Sequence, residues 1–135
     1  RDGHAVESFS PAAEVRAVVE ARFLSMRVHS THVGLTPTRI LATGGASANR
    51  AILQVMADVF GVPVFTGRHP GSAALGAAYR ALHGWTCADQ RRFVPFADIL
   101  RPAPPFTLTA EPDTGAHRTY DAMVDPYARL EYTLL

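Results

Sequence analysis

The sequence predicts a single α/β domain, because short strand-like segments alternate with longer segments of helical spacing. The segments RILAT and VPVF, at 39–43 and 62–65, are short and apolar, as expected for buried strands. Before, between and after them, apolar residues recur at the spacing of a helix face. The chain length of 135 residues suits one domain with one core.

We expect the first helix to begin at Ser10-Pro11, with Ser10 as the cap and Pro11 in the first helical position. Arg16 and Glu20 lie four positions apart on this helix and are expected to pair. The helix is expected to end before Gly34. Its apolar residues at helical spacing are Val15, Val18, Val19, Phe23 and Met26.

The segment ASANRAILQVMADVF follows the first strand and predicts a second helix. Gly61 is well placed to end this helix, with Pro63 two residues further on. We expect Ser47 to cap the helix, and Asp58, which lies well past its start, to be structural rather than catalytic. One apolar stripe of the helix consists of Ile52, Leu53, Met56, Val59 and Phe60.

The segment SAALGAAYRALH predicts a third helix after a loop at 67–71. We expect Ser72 to cap this helix and Gly84 to end it. Gly76 lies among alanines, so one face of the helix is small enough for another backbone or a ligand to come close. The apolar face is expected to consist of Leu75, Ala78, Tyr79 and Leu82.

Residues 86–112 are rich in proline, which excludes a long helix or a central strand there. We interpret this segment as an extended strap over the surface, with a short turn at FADIL. Helical spacing then returns between 113 and 135, through Tyr120, Met123, Val124, Tyr127, Leu130 and Leu134. Pro126 leaves two alternatives open: one kinked helix, or a second helix that begins at Asp125-Pro126.

The composition excludes several classes of function. A net charge of +1 gives no electrostatic footprint for nucleic acid, and no apolar run approaches the roughly 20 residues of a membrane span. We therefore expect neither partner. Cys87 is the only cysteine, which excludes a disulfide framework and fits a reducing compartment such as the cytoplasm. The six histidines form no zinc-binding motif and are expected on the surface.

Two adjacent glycines, Gly44 and Gly45, stand where a strand ends and a helix begins. Such a junction lets backbone N–H groups face a bound anion without obstruction by side chains. The same spacing is also typical of a tight turn without a ligand, and the residues alone leave both alternatives open. Asn49 lies four residues after Gly45, where its amide is suited either to contact a nucleotide or to cap the helix.

These segments resemble the C-terminal domain of the FGGY family of carbohydrate kinases. The resemblance is strong in ILATGGASANRAILQVMADVFGVPV and SAALGAAYRALHG. AEVRAVVEARFLSMRVH resembles the helix that precedes the adenosine motif of these enzymes, and YDAMVDPYARLE resembles their last helix. The likeness covers most of the chain and is diffuse in the proline-rich strap.

The resemblance implies an actin-like ATPase (ribonuclease H-like) fold, with residues 1–135 as the C-terminal nucleotide-binding lobe. It implies a partial sheet with flanking helices, and phosphorylation of a sugar hydroxyl with ATP and Mg²⁺ in a cleft between two domains. The catalytic aspartate and most sugar ligands of the family belong to the N-terminal domain. Because that domain is absent from this chain, we expect no catalytic residue and no metal ligand here, and no activity of the chain alone.

In the matching motif, the family's second glycine, the next residue and the following asparagine contact the nucleotide. Carried over, these are Gly45, Ala46 and Asn49, with Gly44 providing the turn. At the rim of the site, Gly71 departs from the acidic or amide residue that some members carry just before the ALGAA helix.

The local similarity around GGASANR and AAYRALHG favours xylulose as the sugar. Two alternatives stay open: a kinase of another sugar or polyol, such as glycerol or gluconate, and a non-catalytic truncated interaction or regulatory module. The sequence opens at Arg1 without a methionine, so we expect an excised or processed piece of a longer protein.

Overall fold

The computed structural model describes residues 8–68, 71–100 and 105–134. Positions 69–70 of the predicted loop, positions 101–104 of the predicted strap and the side chain of Leu134 lie outside the described part. In chain order the elements are α1 (Pro11–His32), β1 (Ile40–Ala42), a 3₁₀ turn (Gly45–Ala48), α2 (Arg50–Phe60), β2 (Val64–Thr66), α3 (Ser72–Asp89), α4 (Phe96–Leu100), β3 (Thr107–Ala110) and α5 (Thr114–Leu134).

The three strands form one mixed sheet in the order β1-β2-β3, which confirms the α/β class. β1 pairs with β2 in parallel, with Ile40 opposite Val64, and β2 pairs with β3 in the antiparallel sense. The two strands that the apolar segments predict are present. β3 lies inside the segment predicted to be a strap, so that prediction was wrong at this point. Proline did not prevent the strand, because no proline lies within the four residues that form it.

α1 begins as predicted, since the Ser10 hydroxyl oxygen accepts a hydrogen bond from the N–H of Ala13 at 3.3 Å. Its buried face consists of Phe23, Leu24 and Val28. Other members of the predicted apolar set face outward: Val15, Val18 and Met26 are 67%, 72% and 43% exposed. α1 therefore presents apolar surface in two directions, which the spacing of its residues did not separate.

The core lies between three helices and one face of the sheet. One cluster joins α1, α2 and α5, and consists of the buried residues Phe23, Leu24, Val55, Val59 and Tyr120. A second cluster packs α2 on the sheet, and consists of Ala42, Leu53, Ala57, Val64 and Ala110. α2 belongs to both clusters, so it is the element around which the described part of the chain is organised.

The buried carboxylate of Asp58 connects α2 to the start of α5. Its Oδ1 accepts hydrogen bonds from the side-chain amide of Gln54 at 2.9 Å and from the N–H of Asp113 at 2.8 Å. The backbone oxygen of Asp58 lies 2.9 Å from Nδ1 of His117. Because the carbonyl accepts, the ring nitrogen donates, and Asp58 thus has the structural role that its position predicts.

α3 differs from its prediction at both ends. The helix continues through Gly84 to Asp89, and its cap residue is Gly71, which makes no side-chain cap bond. A glycine inside a helix costs only about 1 kcal/mol relative to alanine, so Gly84 does not end the helix by itself. No residue of α3 is buried, and the helix contacts α4, which forms at the predicted FADIL turn.

α5 is a single helix that runs through Pro126, which decides between the two alternatives for this segment. Proline lacks the N–H that would bond to the previous turn, and contacts on both sides of it hold the helix in place. Tyr120 packs into the core before the proline. After it, Glu131 accepts a hydrogen bond from Ser25 at 2.7 Å, and the hydroxyl of Tyr132 lies 2.8 Å from Nε2 of His32.

Tyr120 joins α5 to α1 through a partly buried hydrogen-bond network. Its hydroxyl donates to Glu20 at 2.6 Å and accepts from Arg16 at 2.6 Å. Burial raises the pKa of Tyr120, and the hydrogen bond to Glu20 raises it further, since both favour the neutral phenol.

Replacing Tyr120 by phenylalanine should lower the free energy of unfolding by about 1 kcal/mol through loss of these hydrogen bonds. The folded state has the raised pKa, so the contribution is fully present below pH ~10, the unfolded value, and is lost as the pH rises through the folded value. Urea unfolding at neutral and alkaline pH measures the difference between the two proteins. A difference that grows with rising pH would contradict the assigned network.

Among the described residues, no helix is both long enough and apolar enough to cross a bilayer.

Candidate functional site

The backbone turns sharply at Gly44, directly after β1. Gly44 has φ 84° and ψ −176°, and it precedes the 3₁₀ turn Gly45–Ala48. This conformation is essentially restricted to glycine, because a Cβ atom would collide with the backbone. The sequence thus has glycine at the one position of the bend where the geometry requires it.

The outer side of the bend is open. A Cβ atom built on Gly44 or Gly45 would have no heavy atom within 4 Å, and both residues are exposed. Gly45 and Ala46 are the first residues of the 3₁₀ turn, so their N–H groups have no acceptor within the turn. The bend therefore offers accessible backbone donors that no side chain covers.

Hydrogen bonds inside the turn fix the shape of the bend. The Gly44 carbonyl accepts from the N–H of Ser47 at 3.1 Å and from its hydroxyl at 2.7 Å. The Ala46 carbonyl accepts from the N–H of Asn49 at 3.1 Å. Ser47 therefore stabilises the glycine bend, and the prediction that it caps α2 was wrong.

Asn49 is the residue that caps α2. Its Oδ1 accepts hydrogen bonds from the N–H groups of Ala51 at 3.0 Å and Ile52 at 3.3 Å. The capping role that the sequence left open is confirmed. The side-chain Nδ2 donates to no group in the described residues and is exposed. Asn49 is thus able to cap the helix and to donate to a ligand at the same time.

α2 begins later than its sequence predicts. Asn49 has extended backbone angles, which separate the 3₁₀ turn from the first residue of the α-helix, Arg50. The positive end of the α2 dipole consequently lies beyond the turn rather than at Gly45. The donors nearest to the glycine bend are those of the 3₁₀ turn itself.

An apolar groove of about 560 Å³ ends at the turn. Ala46 and Ser47 line this end of the groove, and Arg22 of α1 lies along it. The remaining lining comes from α1, β1 and the first turns of α2. The groove was not predicted from the sequence. The feature that could have indicated it is that α1 has more apolar residues than one buried face of a helix needs.

The structure brings Gly44, Gly45, Ala46 and Asn49 together at the end of β1. In the part of the chain that the structure describes, no three histidine, cysteine, aspartate or glutamate side chains are placed to hold a metal ion.

Comparison with known proteins assigns the chain to a family. Residues 4–85 match the profile of the FGGY family of carbohydrate kinases, C-terminal domain. This match spans more than half of the chain, and the chain belongs to the FGGY family. The family resemblance of the motifs quoted above is thereby confirmed.

Curated relatives and a solved structure are similar to the chain over most of its length. Xylulose kinase of Rattus norvegicus is 42% identical over 137 residues, covering 99% of this chain and 25% of that protein. Xylulose kinase 2 of Arabidopsis thaliana is 49% identical over 96 residues, covering 70% of this chain and 17% of that protein.

The crystal structure of xylulose kinase from Rhodospirillum rubrum superimposes with a TM-score of 0.68 at 26% identity, covering 98% of this chain and 26% of that one. This match confirms the predicted actin-like ATPase fold class. The chain spans about a quarter of the length of the rat and bacterial proteins.

Proposed function

We propose that this chain is the ATP-binding C-terminal part of a D-xylulose kinase, which forms D-xylulose 5-phosphate. The observation that carries the proposal is the identity of 42% to the rat xylulose kinase across 99% of the chain. The relatives named above are xylulose kinases, which favours xylulose over glycerol or gluconate. The same similarity favours a chain that acts together with a catalytic domain over an independent interaction module.

The residues present fit the adenosine end of ATP. The bend at Gly44 and Gly45 is open on the side where a side chain would lie, and the N–H groups of Gly45 and Ala46 have no acceptor within the 3₁₀ turn. Asn49 adds an amide donor whose orientation is fixed by its capping bonds. Together they hold and orient the nucleotide by contacts that require close approach of the backbone.

Mg²⁺ is the metal that accompanies ATP in this proposal. Magnesium is commonly held by one or two carboxylates together with substrate phosphates. Phosphoryl transfer depends on positioning and charge stabilisation around the phosphates, and this requires groups on both sides of the cleft. In this proposal the catalytic base and most sugar ligands belong to the N-terminal domain. The cytoplasm is the proposed location.

A chimera tests whether the chain can serve as the ATP-binding part of a xylulose kinase. In the chimera, which we call the rat chimera, residues 1–135 of this chain replace the matching segment of the Rattus norvegicus xylulose kinase. We expect ADP formation that requires D-xylulose, because the chain supplies the nucleotide contacts that the replaced segment supplied. The chain without the remainder of a kinase should form no ADP. A folded rat chimera that binds ATP but does not phosphorylate xylulose would contradict the proposal.

Two variants of Asn49 distinguish its capping role from its proposed contact with the nucleotide. Asn49→Ser keeps a capping oxygen but loses the Nδ2 donor, whereas Asn49→Ala loses both. In the rat chimera, both should lower ATP affinity by roughly fivefold to tenfold, the worth of one hydrogen bond. Only the alanine variant should lose about 1 kcal/mol of stability. Calorimetric titration with ATP and thermal unfolding measure the two effects. Unchanged ATP affinity in Asn49→Ser would remove the amide from the site.

A further inference from the structure

Ser47 is the only half-buried residue in the segment 43–50, which contains the glycine bend and the 3₁₀ turn. Both of its donors meet at one oxygen, because its N–H and its hydroxyl bond to the Gly44 carbonyl at 3.1 Å and 2.7 Å. The hydroxyl does not cap α2, since Oδ1 of Asn49 accepts from the first N–H groups of that helix. The hydrogen bond of the Ser47 side chain therefore acts on the bend.

The Gly44 carbonyl and the Gly45 N–H belong to the same peptide unit. A peptide unit is planar, and in the trans form, which this one has, its C=O and N–H bonds point in opposite directions. The two bonds from Ser47 hold the carbonyl oxygen on the inner side of the turn. The N–H of Gly45 is consequently held outward, on the side that no side chain covers.

The glycines themselves do not fix this orientation. A peptide unit flips through a joint change of ψ in the residue before it and φ in the residue after it, and glycine permits such changes with little steric cost. Here the two residues are Gly44 and Gly45, and a Cβ atom on either would have no heavy atom within 4 Å. A flip would turn the N–H inward and the carbonyl outward, so an accessible donor would become an acceptor. The bonds from Ser47 oppose this flip.

We propose that Ser47 is a positioning residue for ATP, which acts by holding the Gly44–Gly45 peptide unit with its N–H toward the nucleotide. This inference rests on the proposed function, because it requires that ATP is bound at the bend. The hydroxyl forms the shorter of the two bonds to the Gly44 carbonyl, so it contributes to the orientation before the nucleotide arrives. A donor that is already oriented costs less free energy to bind than one that the ligand has to order.

Direct contact between Ser47 and the nucleotide is the alternative, since Ser47 also lines the end of the groove of about 560 Å³. The two roles differ in the nucleotide-free protein. Removal of a positioning hydroxyl changes the Gly44–Gly45 peptide unit before ATP is added, whereas removal of a hydroxyl that only contacts ATP leaves the empty bend as it was. The peptide unit without nucleotide therefore distinguishes them.

Isotope labelling reports on this peptide unit in the rat chimera. Gly44-Gly45 is the only pair of adjacent glycines in residues 1–135. With carbon-13 on glycine carbonyls and nitrogen-15 on glycine nitrogens, only adjacent glycines give an NMR signal that correlates the two nuclei. The signal that is absent from the Gly45→Ala variant is that of the bend. Without nucleotide, Ser47→Ala should move the Gly44 carbonyl signal upfield, because the oxygen loses a hydrogen bond.

Two control variants make the effect on ATP specific. Ser47→Thr keeps a hydroxyl that is able to bond to the carbonyl three residues earlier. Ser30→Ala removes a bond of the same kind within α1, from Ser30 to the Arg27 carbonyl at 2.9 Å. Calorimetric titration should show an ATP affinity about threefold to tenfold lower in Ser47→Ala, since loss of one hydrogen bond lowers the population of the outward orientation by roughly that factor.

Ser47→Thr and Ser30→Ala should both keep the ATP affinity and the Gly44 signal of the parent rat chimera. The two alanine variants should have similar unfolding temperatures, because each loses one bond from a serine to a carbonyl. A lower ATP affinity in Ser47→Ala alone is then not an effect of stability.

An unmoved Gly44 signal in Ser47→Ala would overturn the proposal, and so would a moved signal with the ATP affinity of the parent. Lower ATP affinity with an unmoved signal would assign Ser47 to direct contact, which also overturns it. These measurements use ATP binding and no phosphoryl transfer. A rat chimera that binds ATP without phosphorylating D-xylulose therefore refutes the proposed function alone.

Discussion

Alanine at Gly44 is expected to damage both the stability and the ATP affinity of the rat chimera. Gly44 has φ 84° and ψ −176°, and forcing a residue with a Cβ atom into this region costs on the order of 1–3 kcal/mol. The bend would relieve this strain by changing its backbone angles. The carbonyl of Gly44, which accepts both bonds from Ser47, would then move, and the 3₁₀ turn would lose its shape.

Gly45 provides the matched control for this experiment. It does not have a positive φ, and a Cβ atom there would meet no heavy atom within 4 Å, so Gly45→Ala should fold as well as the parent. If adenosine lies against the bend, the added methyl group enters that contact and lowers ATP affinity by about tenfold or more, since overpacking costs roughly 1–3 kcal/mol. Thermal unfolding and calorimetric titration with ATP separate the two effects. A Gly45→Ala variant with unaltered ATP affinity would contradict the proposed contact.

Loss of the Asp58 carboxylate should be the most destabilising single change outside the apolar core. Asp58→Ala removes one acceptor of Gln54, which keeps its bond to the Glu111 carbonyl at 2.8 Å, and leaves the N–H of Asp113 without its side-chain partner. We expect the free energy of unfolding to fall by about 3 kcal/mol, because bonds to a charged group are worth roughly 1.5–3 kcal/mol each. The start of α5 should detach from α2 first, since Asp113 precedes that helix directly.

Two further variants make this prediction specific. Asp58→Asn keeps an oxygen acceptor without the charge and should cost about 1 kcal/mol, the value of neutral hydrogen bonds. Asp89→Ala changes an exposed aspartate at the end of α3 and should lie within about 0.5 kcal/mol of the parent. Urea unfolding of the three variants measures the order of their free energies of unfolding. Equal effects of Asp58→Ala and Asp89→Ala would show that the carboxylate does not hold α5.

Elements with strong local signals could be predicted from the sequence. Ser10-Pro11 determines the start of α1 through a cap and a fixed φ angle, and Gly61 ends α2 with a left-handed conformation. Both effects act within one helical turn. β3 and the end of α3 were missed for the opposite reason, because they depend on surroundings. β3 is stabilised by its pairing with β2, and Gly84 lies inside a helix that continues past it to Asp89.

The bend of the candidate site was predicted from the sequence, but its hydrogen bonds were not. The adjacent glycines indicated a bend, and Gly44 has the backbone angles that only glycine reaches without strain. The sequence could not predict which of Ser47 and Asn49 caps α2, since both residue types cap helices well. The 3₁₀ turn decides it by placing Asn49, not Ser47, at the first residue before α2.

The most direct test of the central claim is a crystal structure of the rat chimera with bound ADP. The account predicts that the adenosine lies against the backbone of Gly44, Gly45 and Ala46, with Nδ2 of Asn49 donating to it. A purine bound elsewhere in the cleft, with neighbouring side chains folded over the glycine bend, would contradict the account.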